Sequence, residues 1–176
     1  MRPTLQSSVV GPLTRHEEFE DWWEGGPVAV PLLGGPPLPV TFTESVPGEA
    51  PTFLAEADAA LAACLAEGLA GRAEATPGVY ENSLEMLGAP NIGPLDVPTP
   101  EAIWVHVSPR FVSLSRRDRE VYVQVACKCA WEEEHGLQLV DRRGERLTRV
   151  SQQDGHLTEA GASDLPDDQD PWLSRS

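Results

Sequence analysis

Cys127-Lys128-Cys129-Ala130-Trp131-Glu132-Glu133-Glu134-His135-Gly136 is the stretch on which the reading of this chain turns. In an extended strand alternate side chains share a face. Val123, Val125, Cys127, Cys129 and Trp131 then point one way, and Gln124 and Lys128 the other. The first set is an apolar core face, so the two cysteines read as small buried residues rather than as reactive thiols. Gly136 supplies a backbone conformation with positive φ, and Glu132-Glu133-Glu134-His135 before it reads as a solvated turn.

The pattern continues on both sides. Residues 111–115 alternate, Arg116-Arg117-Asp118-Arg119 forms a polar turn, and a strand from Glu120 completes a hairpin. Residues 137–140, a turn at Arg142-Arg143-Gly144 and residues 147–150 extend it as an antiparallel meander. Upstream, Val28, Val30 and Leu32 alternate before Gly34-Gly35, and Leu38, Val40 and Phe42 after it, which predicts a second hairpin over 28–42. Pro31, Pro37 and Pro39 donate nothing to a ladder, so one of its strands should lie at an edge or be interrupted.

Helical spacing is strongest over 51–71. Phe53, Ala57, Ala60, Leu61, Cys64, Leu65 and Leu69 make one apolar stripe, with Pro51 in the first turn, Gly68 weakening the last and Gly71 as C-cap. Residues 73–98 are rich in Gly and Pro and read as a connecting loop with one helical turn around Tyr80, Leu84 and Leu87. Thr99-Pro100 opens a brief helix carrying Ile103 and Trp104 that ends before Pro109. Thr14 and Glu17 have capping-box spacing for a short turn with Phe19 and Trp22; alternatively Trp22-Trp23 lead into the next strand. The expected fold class is α+β: an antiparallel sheet, made of the N-terminal hairpin and the C-terminal meander, with one main and one short helix packed on it. The expected organisation is a flexible leader at 1–13, a single domain at 14–158 and a disordered acidic tail at 159–176.

Composition bounds the function. The 176 residues carry 13 Lys and Arg against 28 Asp and Glu, a net charge of −15, which repels phosphate backbones and anionic membranes and favours basic protein partners. Nucleic acid and membrane are therefore not expected as partners. Three cysteines and no signal-peptide pattern point to a reducing cytoplasm.

Candidate chemistry is sparse. Cys127 and Cys129 are one residue apart, whereas structural zinc sites separate paired cysteines by two or more, and a second pair is missing. Glu133, Glu134 and His135 hold the ingredients of general acid–base catalysis. His135, Asp154 and His156 would make a two-His, one-carboxylate metal site if the two turns met. No phosphate-binding loop or nucleophile elbow is present, so no cofactor is implied.

Trp131-Glu132-Glu133-Glu134-His135-Gly136-Leu137-Gln138-Leu139-Val140, Gly144, Leu147 and 150–158, with Ser151, Asp154-Gly155-His156-Leu157-Thr158, resemble an uncharacterised bacterial family of small acidic proteins. The resemblance spans 22–158, includes Trp104, and is strongest over 119–158. It implies a fold more than a mechanism and makes Trp104, Cys127, Cys129, Trp131, Gly136 and Gly155 packing and turn hardware. By analogy with small acidic immunity proteins of toxin systems, the expected function is non-enzymatic binding of a basic protein, as an immunity protein that neutralises a toxin. The alternatives are an acid–base or metal-dependent enzyme on the His135, His156, Asp154 and Glu132–Glu134 set, and a structural domain without a small-molecule site.

Overall fold

The computed structural model describes residues 4–43, 50–88 and 93–173. Eight strands form one sheet in chain order: β1 Thr4–Ser7, β2 Gly11–Arg15, β3 Trp23–Val28, β4 Leu38–Phe42, β5 Val107–Arg117, β6 Glu120–Cys129, β7 Glu132–Arg142 and β8 Arg146–Gln152. Every neighbouring pair is antiparallel except β4 and β5, which run parallel through Val40–Val112 to Phe42–Leu114. A parallel pair needs a long crossover, and this one contains helix α1, Ala50–Met86, followed by a 3-10 helix, Pro100–His106. The fold is thus α+β, two meanders joined by a helical crossover, with α1 against one face of the sheet.

Between α1 and the sheet lies the core. Val40, Phe42, Val112, Leu114, Val123, Val125, Leu137 and Leu139 come from the strands, and Phe53, Ala57, Leu61, Cys64, Ala75 and Val79 from the helix. Cys127, Cys129 and Trp131 are buried with them, while Lys128 is exposed, as alternation requires. At Gly144 the turn joining β7 to β8 comes so close to the helix that a Cβ would lie 1.9 Å from the Ala60 carbonyl oxygen; φ there is +69°. Only glycine combines that conformation with that approach.

Several expectations are corrected. Residues 4–7 and 11–15 are strands rather than a mobile leader; Leu13 is fully buried, and Asp58 of α1 accepts hydrogen bonds from the Ser7 hydroxyl, at 2.5 Å, and from the Ser8 backbone and hydroxyl. Thr14 belongs to β2 and caps nothing; Trp23 starts β3 instead. The first strand of the 28–42 hairpin sits earlier, at Trp23–Val28, because Pro31, Pro36 and Pro37 leave the long connection without ladder donors. Val30 and Leu32 still bury their side chains from that connection. β4 is interior rather than at an edge. It accommodates Pro39 because the ladder to β5 begins only at Val40, and the ladder to β3 shifts register between Gly25 and Val28.

The helix does not stop at Gly71. It is kinked at Gly68, whose φ of 54° and ψ of −130° break the regular spiral, and then continues through Pro77 to Met86, so 73–86 is no loop. After the kink the original apolar stripe no longer faces the sheet: Leu69 is 77% exposed, and Ala75 and Val79 take over. Thr76 helps hold this second half, its hydroxyl accepting from the Trp104 indole at 2.9 Å. Residues 159–173 are docked rather than disordered: α2 spans Glu159–Ala162, and fully buried Asp170 accepts from Ala160, Trp172 and Leu173 backbone N–H groups. Trp172 and Val150 of β8 both lie against Gly78 of α1. Among the described residues no helix is long and apolar enough to cross a membrane.

Candidate functional site

The chain reversal in the quoted motif occurs at Ala130-Trp131, and Glu132 through Gly136 belong to β7. Cys129 pairs with Glu132 and Cys127 with Leu137, so four residues of β7 face one of β6. This large bulge is closed by Glu132, whose carboxylate accepts from the backbone N–H groups of His135 and Glu134, both at 3.1 Å, and lies 3.4 Å from His135 Nδ1. Those N–H bonds hold the Glu132 carboxyl below its ordinary range. Glu133, Glu134 and His135 are exposed. Gly136 is required because a Cβ there would lie 2.5 Å from the Cys127 carbonyl oxygen.

Asp154 and His156 follow β8, at the same end of the sheet as the bulge, and Gln153 donates to the Gly136 carbonyl at 3.4 Å. The two predicted turns do meet as backbone. Asp154, however, is committed to Arg149 at 2.5 Å, to His156 N at 3.0 Å and to Gln138 at 3.2 Å. No three His, Cys, Asp or Glu side chains converge on an ion position among the described residues. Burial pushes the Cys127 thiol up to about 12 and Cys129 to about 11, so both are neutral thiols at pH 7.

Sequence reading passed over Gln138, which organises this region. It is fully buried on the sheet face away from α1. The two N–H groups of its amide are shared among Ser151 Oγ, Asp154 Oδ1 and the His156 carbonyl, and its oxygen accepts from Gln124 Nε2 at 2.5 Å. Gln124 in turn accepts from Ser113 at 3.0 Å. One line of hydrogen bonds therefore crosses β5, β6, β7 and β8 and pins the loop after β8 through Ser151, Asp154 and the His156 carbonyl. Gly155, at φ +82°, makes its turn. A lone glutamine in an apolar strand was the available signal, since such a residue must find partners.

The most distinctive charged feature lies on the helix side. Glu67 precedes the Gly68 kink of α1, and Glu74, Glu81 and Glu85 beyond it recur at intervals of seven and four residues, the spacing of one helical face. Glu67 and Glu74 border a crevice with Asp141 of β7 and Glu145 of the following turn. Glu81 and Glu85 border its neighbour, a cleft of about 350 Å³ shared with Arg149, Glu159 and Trp172. Arg149 is the basic residue in these linings, and its charge is met by Asp154 and Glu159. None of the four α1 glutamates is in an ion pair among the described residues.

Asp141 registers that imbalance. It lies under α1 with the Cys64 thiol donating at 3.8 Å. Burial first, and then the charges of Glu74 and Glu67, raise its carboxyl from 3.8 to about 7. The same burial and the Asp141 charge drive the Cys64 thiol far above its ordinary value. Asp141 was overlooked because its carboxylate neighbours are some seventy residues away in the chain.

The chain belongs to the family described as a domain of unknown function, DUF6985, whose model matches residues 9–157. No curated protein and no solved structure matches the chain.

Proposed function

We propose that this family member is a non-enzymatic protein-binding module of the bacterial cell that receives a basic partner along the groove between α1 and the β7–β8 edge, and that it serves as an immunity protein neutralising a basic toxin. The observation that supports this reading is the groove itself. Glu67, Glu74, Asp141 and Glu145 border a narrow crevice there and Glu81, Glu85 and Glu159 a separate cleft, with Arg149, paired to Glu159, the basic residue of the two linings. Uncompensated charge of one sign raises the potential in a cleft and steers an oppositely charged protein into encounter. Within a chain of net charge −15 it also disfavours folding, and a basic partner would relieve that self-repulsion on binding.

The His135, Glu133 and Glu134 set offers less. Its carboxylate anchor, Glu132, is used by backbone N–H groups, and the three residues project from a bulge into solvent.

The reading is tested by titrating purified protein against basic proteins encoded beside it and measuring affinity across ionic strength. A complex that weakens steeply with salt, and that the double variant Glu81→Lys/Glu85→Lys disrupts by tenfold or more, is expected, since close charge pairs couple by about 1.5 kcal/mol or more. The absence of any complex at low salt, or one indifferent to both salt and charge reversal, refutes it.

A further inference from the structure

On the sheet face opposite α1 the strands leave a cleft of about 570 Å³, within the range of small-molecule sites. Its floor is short and polar. Thr41 and Thr43 come from the end of β4, Ser113 and Ser115 from β5, and Gln124 from β6. These side chains are short, and that leaves the trough. Trp22 and Phe111 add flat apolar surface, and Gln153, Gly155 and Leu157 of the pinned loop complete the lining.

The charge is as informative as the shape. In a chain with 28 Asp and Glu, no carboxylate lines this cleft, and Arg117 is its one charged residue. A cation has nothing to bind here, so the site is independent of the basic-partner groove on the other face. Hydroxyls and amides both donate and accept, and aromatic rings offer surface to C–H groups. The hydroxyls of Thr41 and Ser115 have no protein partner among the described residues and are available to a ligand. The floor is held in place beforehand, since Gln124 is fixed by Ser113 and Gln138, and Gln138 by Ser151, Asp154 and the His156 carbonyl. Preorganisation of this kind reduces the ordering cost of binding.

We infer that the cleft binds a neutral polyhydroxylated ligand, a mono- or disaccharide, with its hydroxyl edges on Thr41, Ser113 and Ser115 and its C–H face against Phe111 or Trp22. The test is an amide and indole NMR titration of the full chain with maltose, cellobiose and N,N′-diacetylchitobiose, each to about 20 mM, a level that saturates a millimolar site. Saturable shifts confined to Thr41, Ser113, Ser115, Gln124, Gly155 and the Trp22 indole are expected with at least one sugar. Thr41→Val, which keeps shape and removes the hydroxyl, should weaken that binding about tenfold or more, while resonances of α1 stay in place and show the fold intact. Phe111→Ala should do the same through the lost platform. No saturable shift with any of the three sugars, or shifts unchanged in both variants, overturns the inference.

Discussion

Replacing Asp141 by Asn removes one ionisable group from beneath α1 while keeping its size and an acceptor for the Cys64 thiol. Burial and the charges of Glu74 and Glu67 push the wild-type carboxyl up to about 7 in the folded chain from an ordinary value of 3.8. Because the folded value is raised, the folded state holds a proton that the unfolded state releases. Below about pH 4 both states are protonated and the group contributes nothing. Between about pH 4 and 7 folding takes up a proton, so stability falls as pH rises; above 7 the full cost of a partly buried carboxylate among other carboxylates is present. At 1.36 kcal/mol per pKa unit, roughly three units set that cost at no more than about 4 kcal/mol. Urea denaturation followed by circular dichroism at pH 4 and pH 8 measures it. Asp141→Asn should match wild type at pH 4 and exceed it by about 2–4 kcal/mol at pH 8. A variant no more stable than wild type at pH 8, or a difference identical at both pH values, would refute the assignment of an uncompensated carboxylate there.

Gln138→Leu preserves bulk but leaves Gln124, Ser151 and the His156 carbonyl without their shared partner. A loss of about 2–4 kcal/mol is expected, with hydrogen exchange rising selectively over residues 153–158. Asp170→Ala removes the acceptor for three backbone N–H groups; about 1–2 kcal/mol should be lost, and limited proteolysis should cut the segment around Trp172 sooner than in wild type.

Much of the fold was legible in local pattern. The 120–131 and 137–150 alternation located β6, β7 and β8 because a period of two with one buried face admits a single register. Residues 4–15 were misread because Pro12 and Gly11 mask a strand whose one deep anchor, Leu13, has no periodic companions. The second half of α1 was hidden by Pro77 and by the phase change at Gly68, which local propensity scores as an end and tertiary packing of Ala75, Thr76 and Val79 overrides. The same limit applied to the site. His135, Asp154 and His156 were visible as residue types, yet their roles depended on Gln138 and Arg149 across the sheet. The acidic groove joins Glu67 and Glu74 to Asp141, and no local window contains both sides.

The central claim is that the α1–β7–β8 groove is electrostatically incomplete until a basic protein fills it. Asp141 reports on this directly, and its side-chain carboxyl can be titrated by ¹³C NMR in the free chain and in the complex. A value of about 7 is expected when free, falling by one unit or more when partner cations enter the groove. An Asp141 that titrates in the ordinary carboxylate range when free, or whose value is unchanged at saturation with a bound partner, would contradict it.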